Sequence, residues 1–282
     1  MMNARDVLLD SLDKRWRKYR SELKTCRFEF SEEAVHDLRV ATRRLLTVFD
    51  LLRVVVPRKL VQPSRRALKE QLDDLDDLRD VQVLLADISE FMHEAPELSP
   101  FRGYLQGREK QLLRLSRGMV KSNKSKTLSA RIETTRAEIA SLPDDLLSGQ
   151  LLEVLDEAYE KVTRRLAAVD TEKIATIHKL RIAFKKFRYL IEILHPLLVD
   201  FPAENFERMH AYQTMMGEIQ DLEVAQQYVH EWADSASVNE PVRMHYAARL
   251  KKAVNHFIDD KGEALTFWRS APHLSFPWEK QP

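Results

Sequence analysis

A histidine, an arginine three residues on, and a basic pair at seven and eight residues make up His36, Arg39, Arg43 and Arg44. The same order of charge returns in His178, Arg181, Lys185 and Lys186, at a constant offset of 142 residues. Arginine presents a planar fork of donors, lysine a compact charge, and histidine a donor that gains charge in mild acid. Together they suit the binding of phosphate oxygens. On a helix, positions i to i+8 spread these donors over two turns, about 12 Å. A single phosphate needs donors that converge, whereas a spread array suits a linear polyanion. Two such arrays double the track.

The segments that carry them, VHDLRVATRRLLTVFDLL at 35–52 and IHKLRIAFKKFRYLIEIL at 177–194, have helical periodicity. At roughly 100° per residue, Arg39 and Arg43 fall within about 60° of His36, and Arg44 about 80° away. Leu38, Ala41, Leu45, Val48, Phe49 and Leu52 take the opposite side. In the second copy His178, Arg181 and Lys185 share a face, with Tyr189 one turn further along it. Each helix therefore has an apolar back and a cationic front. Clustering like charges destabilises an empty protein, which weighs against an idle surface. One basic face alone is most simply a solvated or acid-paired one; its retention in both copies reverses that judgement.

Two further blocks repeat. LLDSLDKRWRKYRSEL at 8–23 matches LLEVLDEAYEKVTRRL at 151–166 at an offset of 143, pairing Lys18 with Lys161. LDDLRDVQVLL at 75–85 matches MGEIQDLEVAQ at 216–226 at 141, pairing Asp80 with Asp221. Three blocks in one order, with nearly constant offsets, indicate an internal duplication. The expected division is 1–142 and 143–282, near Ser141-Leu-Pro143. Period-two alternation never persists, so the expected class is all-α. Helices are expected over 3–25, from a Ser31 cap to 56, from a Ser64 cap to 93, over 101–120 and 127–141, then over 151–166, from a Thr171 cap to 198, over 202–232 and 241–267. The stretch Lys121–Lys126 is the most loop-like, and the tail is expected to be extended.

Composition narrows the partners. The 282 residues carry 45 Lys and Arg against 44 Asp and Glu, a net charge of +1, so any anion site must be local. One cysteine, Cys26, excludes an internal disulfide framework and fits a reducing compartment. No apolar run reaches bilayer-spanning length and no signal-peptide core opens the chain, so the expected setting is cytoplasmic without a membrane partner. No HExxH or CxxC spacing and no nucleophile elbow occurs, so the expectation is a binding protein with no catalytic residues, no metal and no cofactor.

The segments HxLRVxxRRL and HxLRIxxKKFRY resemble the CHAD family, the conserved-histidine α-helical domain, over nearly the whole chain. The resemblance implies two similar four-helix bundles related by a pseudo-two-fold axis, whose basic faces bind inorganic polyphosphate, and it suggests association with polyphosphate granules. Carried over by position, the phosphate contacts are His36, Arg39, Arg43, Arg44, His178, Arg181, Lys185 and Lys186, with Lys18, Lys69, Lys161 and Tyr189 as further candidates. Two departures stand out. Lys185-Lys186 replaces Arg43-Arg44, and His210 stands opposite Lys69; both should weaken bidentate or permanent charge in the second half. Relatives that add a triphosphate hydrolase domain carry an ExExK strand motif, which this chain lacks.

Two rival readings remain. Asp73, Asp74 and Asp77 satisfy DDxxD, the Mg²⁺-binding pattern of all-α prenyl-diphosphate synthases. A second aspartate-rich helix is then required, and 217–223 offers only Asp221 with Glu218 and Glu223 nearby. Balancing the cations of the second helix is the simpler role for the acidic run. A nucleic-acid backbone binder is the other rival, but the basic faces carry few groups that read bases, so no sequence-specific nucleic-acid partner is expected.

Overall fold

A computed structural model describes residues 3–122, 125–144, 147–233 and 240–280. These residues are all-helical, with nine α-helices and no strand among them. The first half contains α1 (Ala4–Phe28), α2 (Glu32–Leu52), α3 (Arg58–Phe91), α4 (Ser99–Ser122) and α5 (Ser125–Ala140). The second contains α6 (Leu147–Ala167), α7 (Ile174–Leu194), α8 (Glu204–Ala233) and α9 (Glu240–Asp260). Short 3₁₀ turns follow α3, α7 and α9, and another lies in the tail at Pro277–Lys280.

The two helices that carry the charges form for the expected reason. In α2, Val35, Leu38, Leu45, Val48, Phe49 and Leu52 are fully buried, while in α7 Leu180, Phe184, Phe187, Leu190 and Ile191 are. That leaves the cationic fronts to face whatever lies opposite. Ser31 caps α2 by accepting from the Ala34 amide, as its position implies.

Two other helix starts differ from expectation. α3 begins at Arg58, so Pro63 and Ser64 lie inside it and no side chain caps its start. Burial of Val61 holds the extra turn. Pro63 leaves the Lys59 carbonyl without its helical donor, but Lys59 is exposed and water can serve it. Nor does Thr171 cap α7. That helix starts at Ile174, and the preceding turn is tied by Thr176, whose hydroxyl meets the backbone of Asp170 and Lys173. α7 ends at Leu194, and Pro196 sits in the 3₁₀ turn beyond it. Residues 123 and 124, in the loop-like stretch, lie outside the described residues.

One apolar core runs through both halves. α1 packs on α6, α2 on α7 and α3 on α8, so each of these helices meets its own counterpart in the duplication. A two-fold axis between repeats would generate this pattern. Aromatic contacts close the seam further out. Phe101 of α4 lies with its ring centroid 5.3 Å from Trp232 of α8 and 6.1 Å from Tyr246 of α9. Arg249 of α9 grips Asp87 of α3 through two bonds of 2.7 and 2.8 Å, with its guanidinium 4.2 Å from the Phe91 ring centroid. The tail packs through Phe276 and Trp278, whose centroids are 4.7 and 5.8 Å from Trp268, rather than through Leu274, which is exposed.

Candidate functional site

Where α2 and α3 meet α7 and α8, the chain forms a half-open cavity of about 380 Å³. Its wall is composed almost wholly of residues matched by the duplication. His36 and His178, Arg39 and Arg181, Arg43 and Lys185 come from α2 and α7. Arg79 and Gln220, Asp80 and Asp221, Val83 and Val224 come from α3 and α8. Only Val40 and Asp76 lack a counterpart in the wall. Six of the eight positions expected to contact phosphate therefore share one space.

The other expected positions lie elsewhere. Arg44 is exposed on the side of α2 that faces α1, where it acts electrostatically on Arg15 and Lys18. Lys186 is exposed on α7 and Lys69 on α3. Lys18 pairs with Glu22 at 2.7 Å, and Lys161 is exposed on α6. Tyr189 adjoins the cavity without lining it, its ring centroid 5.1 Å from the Arg188 guanidinium. The second member of each basic pair is turned out by the helical step of roughly 100° that brings the first one in.

The cavity is not lined by cations alone. Asp76, Asp80 and Asp221 stand among Arg39, Arg43, Arg79, Arg181 and Lys185. What matters is which charges are already paired. Arg39 is 7% exposed and donates to the Leu72 carbonyl at 3.2 Å and to Asp76 at 2.5 Å, a clip between α2 and α3. Arg79 pairs with Glu32 at 3.0 Å. No carboxylate among the described residues lies within 4.0 Å of the charged groups of Arg43, Arg181 or Lys185. The Arg181 Nε is buried without a hydrogen-bond partner. Three basic side chains, from both halves, thus meet in one space with their donors unspent.

The field that results shifts the titratable groups. Burial, and then Arg43, Arg181 and Arg39, push the Lys185 ammonium down to about 6. Burial and then Arg39 also lower Arg43, which stays charged because guanidinium is so strong a base. Burial depresses both histidines. Arg79 is the next cause for His36, and Arg181 for His178. Both imidazoles are therefore harder to protonate in the empty protein than a free histidine. The His178 Nδ1 meets the Gln220 Oε1. Burial, with Asp76 next, raises Asp80 to about 6, and burial raises Asp221 as well. Asp221 keeps accessible surface and yet behaves as a buried acid, because a narrow cavity admits water without bulk solvation.

Sequence reasoning missed Arg79, Asp76, Asp80, Gln220 and Asp221 as wall residues. The signal was present, since Asp80 and Asp221 anchor the third repeated block. The acidic run behaves as the simpler reading expects: Asp76 balances Arg39, while Asp73, Asp74 and Asp77 are exposed and outside the cavity. No group of three or more metal-ligating side chains occurs among the described residues. No described helix is long and apolar enough to cross a membrane.

The profile of the CHAD domain matches residues 10–230 of this sequence. The chain belongs to the CHAD domain family. The CHAD domain from the plant Ricinus communis has a similar structure, with a TM-score of 0.73 at 17% identity, over 95% of this chain and 93% of that one. PptA from Streptomyces chartreusis is similar with a TM-score of 0.63 at 15% identity, over 93% of this chain and 98% of its own. At these identities the likeness speaks for the fold. No match was found among curated proteins.

Within this CHAD domain, Arg39 has a structural duty that Arg43 lacks. Substituting Arg39 by Ala is expected to cost about 2–3 kcal/mol, since it removes a charge-assisted bond to Asp76 and a second bond to the Leu72 carbonyl from a buried clip between α2 and α3. Urea unfolding of Arg39→Ala beside Arg43→Ala checks this, and equal stability of the two would contradict it.

Proposed function

We propose that this CHAD domain binds inorganic polyphosphate in the cavity between its halves and performs no chemistry on it. The observation that carries the reading is the convergence of Arg43, Arg181 and Lys185 in one cavity without carboxylate partners. An anion entering there satisfies donors that the empty protein leaves unspent, and each charge-assisted bond is worth about 1.5–3 kcal/mol. A nucleic-acid duplex carries its phosphates on the outside of a wide cylinder and can reach only the rim.

Titration with polyphosphates of graded length, duplex DNA, and a prenyl diphosphate with Mg²⁺, at matched ionic strength, tests the proposal. Affinity is expected to rise with phosphate chain length until the cavity is spanned, and then to level off. It should also weaken steeply with added salt, as the contacts are ionic. Equal affinity for orthophosphate and long chains would refute a linear site. Preference for DNA would move the activity to the outer surface, and a Mg²⁺-dependent preference for the prenyl diphosphate would revive the aspartate-rich reading. The cytoplasm and its polyphosphate granules are the setting this reading assigns.

A further inference from the structure

The duplication is broken at one pair of positions inside the site. Arg39 and Arg181 are equivalent, but the residue equivalent to Asp76, which clips Arg39, is Gly217. The second half keeps the arginine and lacks its counter-ion. On the same helix face Arg79 becomes Gln220, so one cation and one acid are lost together and the local charge balance is kept.

The vacated seat is open. A Cβ placed on Gly217 would have the Arg181 Nε as its nearest neighbour, at 4.0 Å, and that Nε is buried with no partner. Gly217 does not face the first cavity. It lines a second one of about 350 Å³ between α3, α8 and α9, which meets the first at Val83, Arg181 and Asp221. One turn before Gly217, on this wall, the Gln213 Oε1 is also buried without a partner. The amide can turn over to present its NH₂ to an anion instead. Leu84, Leu222 and Ala225 supply an apolar side to the same space.

We infer that the second cavity is a separate binding site for a small organic carboxylate. Its carboxylate occupies the place left by the missing aspartate and accepts from the Arg181 Nε, while its short apolar body lies on Leu84, Leu222 and Ala225. The inference shares Arg181 with the polyphosphate reading but concerns its Nε edge and places its ligand in a different space. A polyanion is a poor occupant there, since Asp87, Glu218 and Asp221 line the cavity and the one further cation, Arg249, is already paired with Asp87.

The test uses butyrate as the probe, with ammonium butyrate compared against ammonium chloride at equal ionic strength. The ¹H–¹⁵N signal of the Arg181 Nε, assigned by its loss in Arg181→Gln, should shift saturably with butyrate in the parent protein. In Gly217→Asp an internal carboxylate fills the seat; the signal should already be shifted, butyrate affinity should fall at least tenfold, and the melting temperature should rise. Gly217→Asn provides the same block without charge should the aspartate variant fail to fold. Gly217→Ala, whose Cβ fits, should retain the response. A response that does not saturate, or that persists undiminished in Gly217→Asp and Gly217→Asn, overturns the site. Polyphosphate binding measured on the same samples separates the two claims, since butyrate can fail at Arg181 while polyphosphate still binds.

Discussion

Reversing both Arg43 and Lys185 to Glu should weaken polyphosphate binding by roughly 10²–10⁴-fold, the equivalent of two lost charge-assisted bonds. Reversing Arg44 and Lys186, their immediate neighbours in sequence, should leave the affinity within about threefold, as expected for exposed charges acting through solvent. The contrast follows from where the helical step places each side chain: Arg43 and Lys185 line the cavity, and Arg44 and Lys186 do not. Neither inner residue has a counter-ion to strand, so the fold should survive the double change. Burial, the largest cause of the depressed basicity of Lys185, is not relieved by the change, but the smaller repulsion from Arg43, Arg181 and Arg39 is. Titration by fluorescence or calorimetry, with thermal melts of the same samples, decides the matter. Equal losses from the inner and outer pairs would mean that polyphosphate lies on the open face of the helices and not between them.

The second large effect is a dependence on pH. Lys185, held at about 6, is mostly neutral in the empty protein at neutral pH. A bound polyanion favours its charged form and raises that value, so binding takes up a proton whenever the solution lies above about 6. Asp80, also near 6, is mostly ionised at neutral pH and repels the ligand, and it too takes up a proton on binding. Both terms have one sign. Affinity should therefore fall as pH rises through the neutral range. Replacing Lys185 by Arg fixes the charge. That variant should bind more tightly than the parent in mild alkali and show a shallower slope. An unchanged slope in Lys185→Arg would remove Lys185 from the site.

Most of the fold was readable because apolar periodicity and duplication are written along the chain. Leu38, Leu45 and Phe49 announce the back of α2, and their equivalents that of α7. Helix starts were less legible where a tertiary contact outweighs a local cap: Val61 draws α3 back across Pro63, and Thr176 ties the turn that Thr171 was expected to cap. The candidate site was half legible. Repetition revealed His36, Arg39, Arg43 and their partners, because a repeated charge is visible without coordinates. It did not separate Arg43 from Arg44, since both lie on the broad front of a helical wheel and only the approach of α7 chooses between them. Asp80 and Asp221 are visible as a match, but a match alone speaks only of ancestry. Their place in the wall depends on α3 and α8 meeting across the seam, which no local pattern encodes.

The unequal halves bear on how a bound chain would lie. Inorganic polyphosphate has identical ends and no intrinsic direction, so either orientation costs the same. The protein is not so impartial. Among the groups without an ion pair, its first half offers a permanent guanidinium at Arg43, where the second offers a titrating amine at Lys185 beside Arg181. The hold on phosphates beside Lys185 would therefore depend on pH where that beside Arg43 would not, and as the surroundings turn alkaline the grip would loosen from the Lys185 side first.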